Sequence, residues 1–247
     1  YAVICISKIS ICKINIRLKE NGLLLKEIFS FSSWSMIGSL SVVGVSQGTA
    51  LLTYYFVGVV ANGSIWLSEQ VLIAFNRVIG TLQTAINPQI IKQYSVGNSG
   101  EVEQLLSLSY KLTAFVIMIS AVPAFVDASF IIGLWLNQVP PYLVDLVKIV
   151  IIYILVDSLS GPYVTAIYAV GKLRNYQFFV SIIMMSSLLL TFILYYMGFS
   201  IYTAVSARVF CAFFLLIFRV LYVSKAINIS AKKFIFIDFP KLASVAF

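Results

Sequence analysis

Long apolar runs separated by short polar gaps repeat along the chain. Residues 29–57, 65–91, 105–136, 142–170, 176–197 and 201–223 are each dominated by aliphatic and aromatic side chains. About 20 such residues cross the hydrocarbon core of a bilayer as a helix. The pattern therefore predicts six transmembrane helices. Strands are disfavoured, because an open sheet edge would leave backbone groups unpaired in lipid. Pro123 predicts a break or kink in the third run, and Pro162 a bend in the fourth. The expected fold class is an all-α membrane protein, a six-helix transmembrane bundle over residues 29–223. Residues 1–28 read as the end of a preceding span and a basic loop. Residues 224–247 read as a basic segment with the possible start of a further span. With Tyr1 rather than Met at its start, and apolar stubs at 1–7 and 242–247, the chain reads as a piece of a longer one.

Charge sharpens this picture. Before the first run come Lys8, Lys13, Arg17, Lys19 and Lys26, whereas the gap at 58–64 has no Lys or Arg. Lys92 and Lys111 flank the next gap, 137–141 has no basic residue, 171–175 holds Lys172 and Arg174, and 198–200 again holds none. Arg219, Lys225, Lys232, Lys233 and Lys241 follow at or beyond the end of the sixth run. Basic residues on one side of a membrane protein mark its cytoplasmic face, so Lys13 is expected inside and Asn62 outside. Composition agrees. The 247 residues are 61% hydrophobic and only 11% charged, and the mean hydropathy is +1.00. Soluble domains carry about 25% charged residues. The net charge of +8 is distributed between apolar runs, which argues against a nucleic-acid-binding surface.

The second run is the least lipid-like. Glu69, Asn76, Gln83 and Asn87 are spaced by seven, seven and four residues. At about 100° per residue they fall within about 40° of one another on a helix. Arg77 and Thr84 lie beside that stripe. A charge or amide facing lipid at mid-membrane costs a few kcal/mol, so this face must meet protein or water. It forms either an interhelical hydrogen-bond seam or the wall of a hydrated cavity. Its length of about five turns and its two ionisable groups, Glu69 and Arg77, favour the cavity. Arg208 in the sixth run either lines the same cavity or snorkels outward. Gln47 is a further cavity candidate. Asp157, followed by Ser158, Ser160, Gly161 and Pro162, is either an ion or proton site beside a bend or a helix–helix hydrogen bond. Asp145 and Lys148, three residues apart, are expected to pair. Gly44 and Gly48 have the small-residue spacing that brings membrane helices together. Tyr195, Tyr196 and Trp135 suit an interfacial aromatic belt.

Catalytic chemistry is sparse. The chain has no histidine and three cysteines, Cys5, Cys12 and Cys211, without metal-ligand spacing. Phosphate-loop, zinc and Ser-His-Asp patterns are absent from the sequence. The expectation is a protein that is not an enzyme and that has neither a cofactor nor a metal.

Several motifs stand in a characteristic order. Phe29-Ser-Phe-Ser-Ser-Trp34 opens the first helix. Asn76 precedes Leu82-Gln-Thr-Ala-Ile-Asn-Pro-Gln-Ile-Ile-Lys92, then Tyr94. Leu134-Trp-Leu-Asn-Gln-Val-Pro-Pro-Tyr142, Asp157-Ser-Leu-Ser-Gly-Pro162 and Tyr168-Ala-Val-Gly-Lys172 follow. Over roughly residues 26–225 the chain resembles the C-terminal half of bacterial polysaccharide flippases of the Wzx type, within the MATE-like exporter superfamily. The resemblance implies one six-helix lobe of a two-lobed transporter with a central cavity, in the bacterial cytoplasmic membrane. It implies an undecaprenyl-diphosphate-linked oligosaccharide as substrate, moved between leaflets for O-antigen or capsule assembly. Membrane lipids and polysaccharide-assembly proteins are the implied partners. Arg77, Arg208 and Lys148 would then meet the diphosphate, and Asn76, Gln83 and Asn87 the sugar hydroxyls. Two other readings stay open: an ion-coupled drug or metabolite exporter of the same fold, using Asp157, and a membrane-embedded glycan-assembly enzyme.

Overall fold

The computed structural model describes residues 22–171 and 173–227. The expected preceding span, most of the basic loop with Lys13, Lys172 and the further span at 242–247 lie outside the described residues. Eight α-helices occur among those described: α1 (Gly22–Phe56), α2 (Val59–Ser95), α3 (Ser99–Val126), α4 (Ala128–Trp135), α5 (Leu143–Ser158), α6 (Gly161–Val170), α7 (Leu173–Tyr196) and α8 (Tyr202–Ile227). The protein is an all-α, multi-pass membrane-spanning bundle. Four helices, α1, α3, α7 and α8, are each long and apolar enough to cross a membrane. α2 has ample length at 37 residues, roughly 55 Å at 1.5 Å per residue, but its polar stripe dilutes its apolar character. α5 and α6 divide the fourth apolar run into two shorter helices.

Proline chemistry explains one of the two breaks. The chain leaves α5 at Leu159 and Ser160, and Pro162 stands in the first turn of α6, where its missing N–H removes no intrahelical bond. The Asp157 carbonyl accepts the Ser160 N–H at 3.0 Å and the Ser160 hydroxyl at 2.6 Å. In the third run, by contrast, α3 continues through Pro123 and ends at Val126. The break falls at Asp127, whose φ of −107° and ψ of 40° leave the helical region.

Packing follows the small-residue rule on α1. This helix lies chiefly along α7 and only lightly on α2. A Cβ on Gly44 would come within 3.0 Å of Met185, and one on Gly48 within 2.8 Å of Leu188. The glycine pair therefore sets how closely α1 and α7 approach. Two separate apolar cores result. One, around Ile65, Ile117, Leu146 and Val205, fills the end of the bundle away from the basic residues. The other, around Ile90, Leu106, Ile167 and Val220, fills the basic end.

Two polar expectations change in three dimensions. Tyr195 is no interfacial residue: it is 4% exposed, its hydroxyl lies 3.1 Å from that of Thr53, and it donates to the Ile201 carbonyl at 3.3 Å. Its neighbour Tyr196 points outward and is 78% exposed. Buried phenols keep a partner because an unpaired hydroxyl in an apolar core is costly. Tyr195→Phe is accordingly expected to lower stability by about 1 kcal/mol, read by unfolding titration in mixed detergent micelles. Asp145 does not pair with Lys148; it accepts the Tyr202 hydroxyl at 3.2 Å.

Candidate functional site: a cavity between two apolar cores

A cavity of about 660 Å³ lies between α1, α2, α5, α6, α7 and α8. The helices meet tightly in the apolar cores at either end, and the polar residues are held between them. Glu69, Asn76 and Gln83 come from α2. Their seven-residue spacing keeps them on one face over about four turns. Tyr153 and Asp157 stand four residues apart on α5, and so stack on one face of that helix. Arg208 and Arg219, eleven residues apart on α8, fall within about 20° of each other and about 16 Å along the axis.

Both arginines are paired. Arg208 donates a hydrogen bond to Glu69 and forms an ion pair with it. The Arg208 guanidinium also lies over the Tyr153 ring, 4.9 Å from its centroid, within range of the ring's negative face. Arg219 reaches Asp157 at 3.4 Å, donates to the Tyr176 hydroxyl at 3.2 Å through Nε, and donates to the Ser160 hydroxyl. Each guanidinium thus meets a carboxylate and an aromatic or hydroxyl group, as a buried charge requires. The neutral wall adds the amides of Asn76 and Gln83 and the hydroxyls of Ser46, Ser187 and Thr165. Gly161 matters at one close approach: a Cβ there would overlap the Gln83 amide, so the missing side chain gives that amide its place at the α5–α6 break.

The expected site residues divide accordingly. Glu69, Asn76, Gln83, Asp157 and Arg208 line this one cavity. Arg77 and Gln47 do not: both are exposed, Arg77 next to Asn76 on α2 and Gln47 on α1. Asn87 lies farther along α2 in a shallow groove with Thr84, Pro88 and Lys92, its Oδ1 enclosed and without a hydrogen-bond partner among the described residues. Lys148 is half-buried on α5 outside the cavity. Arg219, Tyr153, Ser160 and Tyr176 complete the polar cluster, although their places in the sequence single them out less. Arg219 sits near the end of its helix, where a basic residue ordinarily belongs to the membrane surface, yet it is only 7% exposed. Its register with Arg208 is the sequence signal that marks it. Among the described residues no group of three or more His, Cys, Asp or Glu side chains could hold a metal ion.

Comparison with protein-family models, curated proteins and solved structures finds no match. The cavity's own chemistry therefore carries the functional argument.

Proposed function

We propose that this chain is one lobe of a transporter that moves a diphosphate-linked lipid oligosaccharide from one leaflet of the bacterial cytoplasmic membrane to the other. α2 and the α5–α6 pair would complete six crossings in the manner of a MATE-like lobe. The observation that carries the reading is the cavity of about 660 Å³ with Arg208 and Arg219 on its wall, held between two apolar cores. A sugar-diphosphate headgroup cannot cross hydrocarbon unaided, while its lipid tail remains soluble in the bilayer. It needs a wet path with hydrogen-bonding groups for hydroxyls and cations for phosphate. Asn76 and Gln83 supply the first, and the two guanidiniums the second. The carboxylates of Glu69 and Asp157 hold these guanidiniums in place until phosphate oxygens replace them. Exposed Arg77, beside Asn76, must meet water or protein at this depth, as it would where a second lobe closes over the cavity.

The exporter reading that uses Asp157 as a cation site is less well supported, because Arg219 already compensates that carboxylate. Deleting the encoding gene separates the two. Loss of surface polysaccharide, with lipid-linked precursor accumulating on the inner leaflet, is the expected result. Normal polysaccharide with altered drug susceptibility would reject the flippase reading. Wetness of the path is tested separately. With the three cysteines replaced by serine, Gln83→Cys is expected to react with a charged, water-soluble thiol reagent and Ile117→Cys, in the apolar core, to resist it. Equal protection of both positions would remove the hydrated path.

A further inference from the structure

A second hollow, of about 1060 Å³, opens at the basic end of the bundle, where the start of α1, the α6–α7 turn and the end of α8 meet. Lys26 and Arg174 stand in its lining against one acid, Glu27, with Ser30 and Asn175 as neutral polar groups. The Arg174 guanidinium carbon lies 5.9 Å from the centre of the Trp34 ring. That ring orients the guanidinium by cation–π attraction without occupying its hydrogen-bonding edge. Neither Lys26 nor Arg174 has an ion-pair partner among the described residues. Both are exposed, whereas the two arginines of the central cavity are each matched by a carboxylate. Arg174 and Asn175 also belong to the first turn of α7, whose backbone N–H groups have no intrahelical acceptor and whose dipole favours an anion.

The rest of the lining is apolar. Ile28, Phe31 and Trp34 carry the hollow along α1, and Ile28 and Phe31 are 52% and 40% exposed. A free phosphate ion would leave these side chains unused. An amphiphile with an anionic head and hydrocarbon chains would use both parts. The basic ends of the helices place the hollow at headgroup depth, on the side where the positive-inside rule puts the leaflet that carries anionic lipid.

We propose that this hollow binds the phosphodiester headgroup of an anionic phospholipid, with its phosphate between Arg174 and Lys26 and its acyl chains against Ile28 and Phe31. The site is independent of the transport path. It would tie the start of α1 to the α6–α7 turn through a molecule of the bilayer itself.

Trp34 reports on the site directly. With Trp66→Phe and Trp135→Phe, Trp34 remains the sole tryptophan of the three. The whole chain is reconstituted in phosphatidylcholine vesicles containing the same mole fraction of either brominated phosphatidylglycerol or brominated phosphatidylcholine. Quenching of Trp34 is expected to favour the anionic lipid by about fivefold or more, the size of effect one basic side chain has at a membrane surface. Arg174→Gln with Lys26→Gln is expected to bring that ratio close to unity. Arg174→Lys, which keeps the charge, is expected to retain most of it, separating lost charge from a misfolded α1. Millimolar inorganic phosphate is expected to leave the quenching unchanged. Equal quenching by the two lipids, a preference that survives the double glutamine variant, or relief by inorganic phosphate would each overturn the assignment.

Discussion

Replacing Arg219 with methionine is expected to destabilise the bundle by about 3 kcal/mol, the lower end of what removing one partner of a buried ion pair costs. The Asp157 carboxylate then faces an apolar side chain in place of its guanidinium partner, and the Ser160 and Tyr176 hydroxyls lose the donor that both share. The lower figure applies because the Asp157 side chain is 30% exposed, so cavity water partly solvates the stranded carboxylate. Arg219→Met combined with Asp157→Asn should recover most of the loss, since a buried pair can be replaced by neutral groups at little cost. Reversible unfolding of the wild type, the two single variants and the double variant in mixed micelles gives the coupling energy directly. A coupling near zero would mean that water, rather than Asp157, compensates Arg219, and that the pair does not organise the cavity.

The same residue shows how far the sequence reaches and where it stops. Hydrophobic periodicity and the alternation of basic and uncharged gaps locate the long helices to within several residues, because lipid penalises every misplaced charge. The heptad spacing of Glu69, Asn76 and Gln83 places them on one face, which depends only on helical geometry. Which helix face opposes that stripe is a tertiary question. Arg219 has the composition signature of a membrane-surface cation, and it is held at the cavity by Asp157 on α5 and Ser160 at the α5–α6 break. Asn87 shares the angular position of the stripe but lies beyond the cavity, because the helices close around the second apolar core before reaching it. The break lies four residues beyond Pro123, at Asp127, and its one local signal is that aspartate, a residue type favoured at helix starts, although its side chain makes no cap hydrogen bond. Tyr195 has interfacial chemistry and a core position, decided by the buried Thr53 hydroxyl on the facing helix.

The second large effect concerns passage rather than folding. Glu69→Gln with Arg208→Gln removes both charges of the ion pair together; the first change keeps the shape of the carboxylate, and the second shortens the side chain but leaves a neutral amide that cavity water can solvate. Stability is expected to change by no more than about 1 kcal/mol, because the pair is removed symmetrically and no buried charge is left alone. If the chain has the proposed flippase function, transport should fall much further. A charge-assisted hydrogen bond contributes about 1.5–3 kcal/mol, and each 1.4 kcal/mol is about a tenfold change. A diphosphate that loses one guanidinium on its path should therefore cross roughly 10–100-fold more slowly. The rate at which lipid-linked oligosaccharide becomes accessible at the outer leaflet measures this directly. Glu69→Gln alone makes the opposite prediction for binding. It weakens the hold on Arg208, freeing that guanidinium for phosphate, so affinity for the lipid-linked substrate should rise even as the bundle loses stability. If the double variant moved substrate at the wild-type rate, Arg208 would be a structural ion and the anionic path would have to lie elsewhere in the bundle.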